Sequence, residues 1–258
     1  MTQKPDHVVY GTRSDITDTG FFFACHPDVP CFTRCCRDTD MYLYPYDIIR
    51  LKHSLNMDSE AFLDAHTNTA IRDNPYFPHV MLKMADSAKK PCPFLTSEGC
   101  SVYEDRPFSC RAYPVEPALS RDGRSDETAR YYIVRHPYCR GHEQDRYHTA
   151  EGWIADQGLE PFLEHNRRWA VVDTLLRRNH WGDQGLEHPA VKMVFMAAYN
   201  MDRFREFVFH SSFLERFAIA RQRLDAIGSR DTELMHLGFD WIEFILAGTG
   251  PLAGCRKS

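Results

Sequence analysis

The feature that most constrains this chain is the distribution of its cysteines, which form two groups. The first group reads CHPDVPCFTRCC from Cys25 to Cys36, and the second reads CPFLTSEGCSVYEDRPFSC from Cys92 to Cys110. Eight of the nine cysteines lie between residues 25 and 139, and only Cys255 stands apart. Because thiols oxidise and scavenge metals, eight in one region need a common explanation: disulfides, a metal site, or burial of small apolar residues.

The remainder of the sequence favours the metal site over the other two explanations. The N-terminus lacks the basic and apolar regions of a signal peptide, and no apolar run approaches the ~18 residues of a membrane span. We therefore expect a cytoplasmic protein without a membrane span, where disulfides rarely persist. Burial explains scattered cysteines such as Cys255 better than clustered ones, so the clusters predict a metal site.

Length and charge set wide bounds on the other properties. A chain of 258 residues can bury a core as one large domain or two small ones. The net charge of -5 provides no basic surface for nucleic acid, so no nucleic-acid partner is expected. The mild acidic excess leaves a protein partner open.

Local patterns predict an α+β fold. We expect a loop-rich cysteine-cluster metal-binding region over residues 1–145, followed by a mainly helical part over residues 146–258 that packs on the first. Prolines on either side of the thiols exclude regular helices there and let the loops converge. Short strands are predicted at residues 21–23, 41–44, 80–84, 101–103 and 131–135, with a polar surface excursion at 119–129.

Helix boundaries follow from capping residues and glycines. Pro45 begins one helix, and Asp58 or Ser59 caps a second. In the C-terminal part, apolar periodicity predicts helices over residues 149–157, 161–178, 189–209, 212–228 and 231–246. The fourth of these starts at a capping box of Ser212 and Glu215, and the last ends at Gly248.

Thiolates bind zinc in sets of four and hold iron–sulfur clusters in sets of four, so eight would fill two centres. The chain contains no C-x2-C pair, which weakens a standard zinc-finger interpretation and does not fit the usual ferredoxin runs. Adjacent Cys35 and Cys36 point in divergent directions and could serve two centres, or one centre in an irregular turn. The candidate metal ligands are Cys25, Cys31, Cys35, Cys36, Cys92, Cys100, Cys110 and Cys139.

Charged and aromatic residues lie beside these thiols. Guanidinium groups could offset the negative charge of a metal–thiolate centre and donate hydrogen bonds to sulfur, or they could pair with nearby carboxylates. The arginines concerned are Arg34, Arg37, Arg106, Arg111 and Arg140. His26 and His136 could be ligands, although surface or hydrogen-bonded histidines are commoner. Tyr103 and Tyr113 could join Arg106 and Arg111 in a polar pocket, but we favour a role in shaping the loops that present Cys100 and Cys110.

These motifs resemble the YkgJ-like cysteine-cluster family, described as zinc- or iron-chelating proteins. In that family a CPFL segment precedes a run GC-x-[IV]-Y-x-x-RP-x-x-C-R-x-YP, which residues 92–114 reproduce in order. The upstream group ending in Cys35–Cys36, the DIIRL run from Asp47 and the later Cys139 with Gly141 also match. One departure is that the family commonly shows C-x2-C-x2-CC, whereas the gaps here are wider. The resemblance covers residues 20–145 and implies a metal cofactor.

Three functions stay open at this point. The first, which we favour, is an iron–sulfur protein with a redox, sensing or enzymatic role. The second is a structural zinc protein whose helical part binds a partner. The third is a group-transfer enzyme related to flagellin lysine N-methylases, which carry a related cysteine group. No nucleotide loop or H-E-x-x-H motif is present and no catalytic residue is singled out. Because the cysteine loops bury little surface, we expect the metal to contribute folding energy.

Overall fold

The computed structural model describes residues 11–118 and 130–255 and has the predicted α+β architecture. The predicted excursion at residues 119–129 lies outside the described part. A three-stranded antiparallel sheet has the order first, sixth and fifth strand, and the remaining strands pair second with seventh and third with fourth. The strands are β1 (Thr12–Asp15), β2 (Phe21–Phe22), β3 (Thr67–Ala70), β4 (His79–Leu82), β5 (Val115–Ala118), β6 (Arg130–Arg135) and β7 (Tyr147–His148).

Most predicted helices begin at the residues that the sequence indicates. Pro45 opens the first helix, and the side chains of Asp58 and Thr149 accept hydrogen bonds from backbone N–H groups that start two others. The helices are α1 (Pro45–Ser54), α2 (Ser59–His66), α3 (Phe108–Ala112), α4 (Ala150–Asp156), α5 (Glu160–Leu176), α6 (Pro189–Tyr199), α7 (Met201–His210), α8 (Phe213–Arg216), α9 (Arg221–Ser229) and α10 (Asp231–Ala247). Along the described chain, no helix combines the length and apolar character that crossing a membrane requires.

Two predicted helices are each divided in the structure. The helix expected over residues 189–209 breaks at Asn200, whose φ of -108° and ψ of 82° leave the helical region. The Asn200 side chain then accepts a hydrogen bond from the N–H of Arg203 and caps α7. The helix expected over 212–228 stops after one turn, because extended Phe217 turns its ring onto Phe213 with centroids 4.9 Å apart.

The predictions of two short strands are also wrong. Residues 41–44 contribute only a single bridge, between Tyr42 and Met81. Residues 101–103 form turn structure that leads into the 3-10 helix Tyr103–Asp105. Their neighbour, Cys100, instead bridges back to Leu95 through a tight turn, in which Gly99 has a φ of 130° that favours glycine.

One hydrophobic core extends from the N-terminal part into the helices. It includes Ile16, Ile48 and Phe94 as well as Phe204 and Phe239. Helix α1 packs against α5, α6 and α10, and α2 packs against α7. At the crossing of α6 and α10 the backbones approach so closely that a Cβ on Gly238 would lie 2.2 Å from the Ala197 carbonyl oxygen. The division at residue 145 stays a prediction.

A buried charge network ties four helices together. Nζ of Lys52 on α1 lies 2.8 Å from carboxylate oxygens of both Asp202 on α7 and Asp231 on α10. Asp202 also accepts hydrogen bonds from the backbone N–H and hydroxyl of Ser59 at the start of α2. Burial alone would raise the pKa of Asp202, but these hydrogen bonds outweigh it and lower the pKa to about 2.

Candidate metal centre

The first cysteine group forms the predicted loop. Residues 25–33 make turns rather than a helix, as expected from Pro27 and Pro30. Thr33, with a φ of 61°, leads into the 3-10 helix Arg34–Cys36, which carries the adjacent cysteines. The N–H of Arg34 donates to the carbonyl of Cys31 at 2.8 Å, so the loop folds back on itself and its thiols stay close in space.

Backbone hydrogen bonds place the other cysteines beside this loop. The N–H of Cys92 donates to the carbonyl of Cys36 at 2.8 Å, next to an antiparallel bridge between Arg37 and Pro91. The N–H of Ala24 donates to the carbonyl of Gly141 at 3.1 Å, which brings the Cys139 loop next to Cys25. The three segments that contain the eight candidate cysteines therefore meet, as the sequence predicts.

Electrostatic interactions among the thiols define two sets that meet at Cys35. The first thiol set contains Cys25, Cys31, Cys35 and Cys139, because the other three each raise the pKa of Cys25. The second thiol set contains Cys35, Cys92, Cys100 and Cys110, because the other three each raise the pKa of Cys110. The thiol of Cys36 hydrogen-bonds that of Cys35 and so lies at the junction.

Cys255 lies elsewhere. Its carbonyl accepts a hydrogen bond from the N–H of Ala218, between α8 and α9, and its thiol lies 3.4 Å from the carbonyl of Pro251. These contacts belong to the helical part of the molecule. The sequence prediction that Cys255 stays apart from the other eight thiols therefore agrees with its position.

The environment of the clustered thiols favours their neutral form. Burial, followed by the neighbouring thiols, raises the pKa of Cys25 to about 11. The side-chain hydrogen bond with Cys36 and then burial raise the pKa of Cys35 far above its ordinary value. Desolvation of the thiol, followed by the neighbouring thiols, also raises the pKa of Cys110, although the residue as a whole is exposed. A thiolate here needs a compensating positive charge, which a bound metal ion would supply.

The donor chemistry fits a soft metal. All eight cysteines are free thiols, and thiolates are the ligands of structural zinc and of iron–sulfur clusters. Within residues 11–118 and 130–255, no three His, Cys, Asp or Glu side chains are already arranged as ligands of one ion. The structure thus brings the thiols together as neighbours, and the assignment of each as a ligand stays a prediction.

Two groups donate hydrogen bonds to sulfur. The backbone N–H of Arg140 lies 3.1 Å from Sγ of Cys31. The hydroxyl of Tyr113 lies 3.3 Å from Nε2 of His142 and also hydrogen-bonds the thiol of Cys139, an interaction that lowers the pKa of that thiol and partly opposes the effect of burial. Hydrogen bonds to ligand sulfur orient the ligand and tune the electronic properties of a metal centre.

The arginines of the second cysteine segment mainly shape the loops, as the sequence interpretation favoured. Arg106 donates to the Tyr103 carbonyl at 2.6 Å and to the Gln157 side chain at 2.7 Å. Arg111 donates to the carbonyls of Glu104 and Gln157. Both arginines therefore fasten this segment to the end of α4. Arg106 still lies close enough to lower the pKa of Cys100 against the effect of burial.

The two candidate histidines lie beside the thiols in other roles. Nδ1 of His26 is 3.6 Å from a carboxylate oxygen of Asp28 on the exposed loop. The ring of His136 stacks between those of Tyr113 and Tyr138, with centroid distances of 5.7 and 5.1 Å. The contacts of His136 form an aromatic stack next to Cys139. A ligand role for either histidine stays a prediction.

Two residues at this site have roles that the sequence did not predict. The carboxylate of fully buried Asp47 accepts hydrogen bonds from the N–H groups of Tyr44 and Phe108 at 2.9 and 2.8 Å, so it links α1 to the start of α3, which carries Cys110. Its place three residues after the N-cap Tyr44, as the third residue of α1, was the available signal. The sulfur of Met41 lies 3.8 Å from Sγ of Cys110, and no sequence pattern indicated this contact.

Comparison with known proteins supports metal binding. Residues 24–140 match the CxxCxxCC family model, described as "Putative zinc- or iron-chelating domain". The matched segment contains all eight clustered cysteines and leaves out Cys255. No curated protein and no solved structure matches the chain. The match confirms the resemblance seen in the sequence, and its description names zinc and iron without distinguishing them.

Proposed function

Because residues 24–140 belong to the CxxCxxCC family of zinc- or iron-chelating domains, we propose that this chain holds two neighbouring iron–sulfur clusters. The observation that carries the proposal is that Cys35 acts electrostatically on a member of each thiol set and hydrogen-bonds Cys36. If Cys35 and Cys36 divide between the sets, eight thiols give two complete four-thiolate ligand sets. Cys25, Cys31 and Cys139 then belong to one, and Cys92, Cys100 and Cys110 to the other.

The protein groups around the thiols suit a redox or sensing role. A bound cluster supplies electron-transfer chemistry, and the chain supplies the environment that sets its potential. The Arg140 N–H and the Tyr113 hydroxyl donate to sulfur, which stabilises the more negative, reduced state. Cys25, Cys35 and Cys110 are exposed, so solvent or a partner can approach both sets.

Zinc is the second candidate, because the family description names zinc as well as iron. Two sets of four thiolates also satisfy tetrahedral zinc, which would then act structurally by holding the loops together. The exposed groove along α6 and α7, which includes Phe195, Phe207 and Arg203, would in that case be the surface for a protein partner. Zinc in the same thiols would leave the protein colourless and redox-inactive.

Anaerobic purification followed by metal analysis separates the two candidates. We expect brown protein with sulfide-to-iron charge-transfer absorption and acid-labile sulfide in stoichiometric amount with iron. Cys110→Ser and Cys139→Ser, one from each thiol set, should each lower iron and sulfide by about half, while Cys255→Ser serves as the matched control and loses nothing. Colourless protein carrying stoichiometric zinc, released by the same two variants, would overturn the iron–sulfur proposal in favour of structural zinc.

A further inference from the structure

Two histidines outside the cysteine segments face each other between α5 and α10. Nδ1 of His165 lies 2.9 Å from Nε2 of His236, and the rings are 5.0 Å apart with their planes at 63°. Tyr46 packs on His165 with ring centroids 4.3 Å apart, and both histidines are half-buried. The packing of the two helices therefore holds two imidazole nitrogens pointing at the same small volume.

The geometry is close to that of two histidines on one metal ion. Zn–N bonds of ~2.0–2.1 Å at a tetrahedral angle place the two nitrogens about 3.3 Å apart. The observed nitrogen–nitrogen distance of 2.9 Å therefore needs only a small rotation of one ring. Burial lowers the pKa of both His165 and His236, so the neutral form that binds metals is favoured in each.

A carboxylate is available on the same helix face. Glu233 precedes His236 by three residues on α10, and residues at this spacing lie side by side. The Glu-x-x-His spacing is used by carboxylate-ligated metal sites in helical bundles. Glu233 and Glu164 each act electrostatically on both histidines. Among the residues that the structure describes, the carboxylate of Glu233 forms an exposed ion pair with Arg230 at 3.6 Å, and such pairs are weak.

The neighbouring cation is already neutralised. Arg168 lowers the pKa of His236, so it would repel a metal ion if it were unpaired. Its guanidinium lies 2.9 Å from a carboxylate oxygen of Asp240 and 2.8 Å from one of Glu243. The charge that an incoming ion meets is therefore set by Glu233 and Glu164 rather than by Arg168.

We propose that His165, His236 and Glu233 form a second metal site, for a divalent transition-metal ion such as Zn²⁺ or Co²⁺, chemically separate from the thiols. One N–H···N hydrogen bond joins the two ring nitrogens, and no third ligand within residues 11–118 or 130–255 is in place around them. When the ion binds, the proton of that hydrogen bond moves by way of solvent to the other nitrogen of the same ring, so both histidines bind as neutral imidazoles, and Glu233 turns from Arg230 to bind the ion. Water completes a four-coordinate site.

Cobalt titration tests the proposal in the full-length protein with its thiol-bound metal in place. Co²⁺ bound by nitrogen and oxygen gives visible absorption without the thiolate charge-transfer bands that cysteine ligation produces. We expect one saturable equivalent of this kind, accompanied by a rise in the unfolding temperature. Absence of a saturable event in the wild-type protein, or a thiolate charge-transfer spectrum, would overturn the proposal.

Variants locate the ion. His165→Gln and His236→Gln should each weaken Co²⁺ binding at least ~10-fold, since even groups behind metal ligands contribute that much. His210→Gln, an exposed histidine on α7, is the matched control and should bind as the wild type does. Glu233→Gln lies at the surface and should weaken binding while the unfolding temperature without cobalt stays unchanged, so this variant remains decisive if the histidine variants do not fold. Wild-type affinity in Glu233→Gln and in either histidine variant would show that the pair is only a hydrogen bond.

Discussion

The first cysteine segment, from Cys25 to Cys36, and the helical part of this molecule are held together in different ways. In the 3-10 helix Arg34–Cys36 no residue is buried, and Val29 is the buried apolar residue of the loop before it. Helix α10, by contrast, buries ten residues and packs against α5, α6, α7 and α9. The helices, and with them the second cysteine segment that buries Phe94, Val102 and Phe108, obtain their order from apolar burial, whereas the loop from Cys25 to Cys36 relies on backbone hydrogen bonds and on its thiols.

This difference indicates which part depends on a metal. Each residue fixed in one backbone conformation costs about 1–2 kcal/mol of entropy, and loops with little buried surface recover little of it. A metal that cross-links such loops supplies the missing free energy. We therefore expect changes in the helices to alter global stability and leave metal content intact, and changes around the thiols to do the reverse.

The largest expected loss of stability comes from the helical core. Phe204 on α7 is fully buried and its ring packs against those of Phe207, Phe213 and Trp241. Phe204→Ala should lower the free energy of unfolding by about 3–5 kcal/mol, because it removes buried surface and leaves a cavity. Urea unfolding followed by circular dichroism measures this. The exposed Phe22→Ala is the control, and loss of bound metal from folded Phe204→Ala would contradict the comparison.

Removing the cation of the charge network should have a smaller effect. Lys52→Met takes away the partner that Asp202 and Asp231 share, but Asp231 keeps Arg205 and His53 and Asp202 is partly exposed, so we expect about 2 kcal/mol rather than the ~3–5 kcal/mol of a fully buried pair. The same unfolding experiment applies. Lys90→Met, which removes the cation of an exposed ion pair with Asp38, is the control. An unchanged midpoint in Lys52→Met would mean that the network does not hold α1 to α7 and α10.

The same network predicts an acid-dependent loss of stability. The pKa of Asp202 in the folded protein is about 2, below its ordinary value of 3.8. Its contribution to stability is therefore present above pH 4 and is lost as the pH falls toward 2. Because the carboxylate is partly exposed, we expect only about 1 kcal/mol. Asp202→Asn should flatten this part of the pH–stability curve, and a curve parallel to the wild type would contradict the assignment.

The smallest expected effect on the stability of the helical part comes from a change next to the thiols. Tyr113→Phe removes the hydroxyl that contacts Cys139 and Nε2 of His142, and keeps the ring stacked on His136. Metal affinity, measured by competition with a chelator, should fall about 10-fold, while the unfolding of the helical part stays as in the wild type. Tyr138→Phe, at the other end of the stack, provides the control. Equal metal affinity in Tyr113→Phe and the wild type would show that the hydroxyl does not contribute to metal binding.

Local chemistry explains what the sequence could predict. Pro45, Asp58 and Thr149 fix helix starts through their own dihedral angles and hydrogen bonds, so these boundaries are readable without tertiary information. The break at Asn200 escaped prediction because the apolar periodicity continues across it. The early end at Phe217 depends on contact with Phe213 and with Phe244 on α10, which the local sequence does not encode.

The same distinction between local and non-local information applies to the candidate metal site. Clustering in the chain identified all eight thiols, and prolines indicated that their segments are loops. Which thiols become neighbours depends on non-local contacts, such as the hydrogen bond between Cys36 and Cys92. The contact of Met41 with Cys110 is of the same kind. Pairing across more than fifty residues is set by the folded backbone rather than by spacing.

Hydrogen exchange of the metal-loaded and chelated protein tests the central claim most directly. If the metal fixes the cysteine segments that bury few apolar residues, chelation should remove amide protection from residues 24–37 and 136–143 and from the N–H of Cys92 that donates to Cys36. Protection in α6, α7 and α10 should remain. Equal protection of the cysteine segments with and without metal would contradict the claim, because those loops would then be ordered by the polypeptide alone.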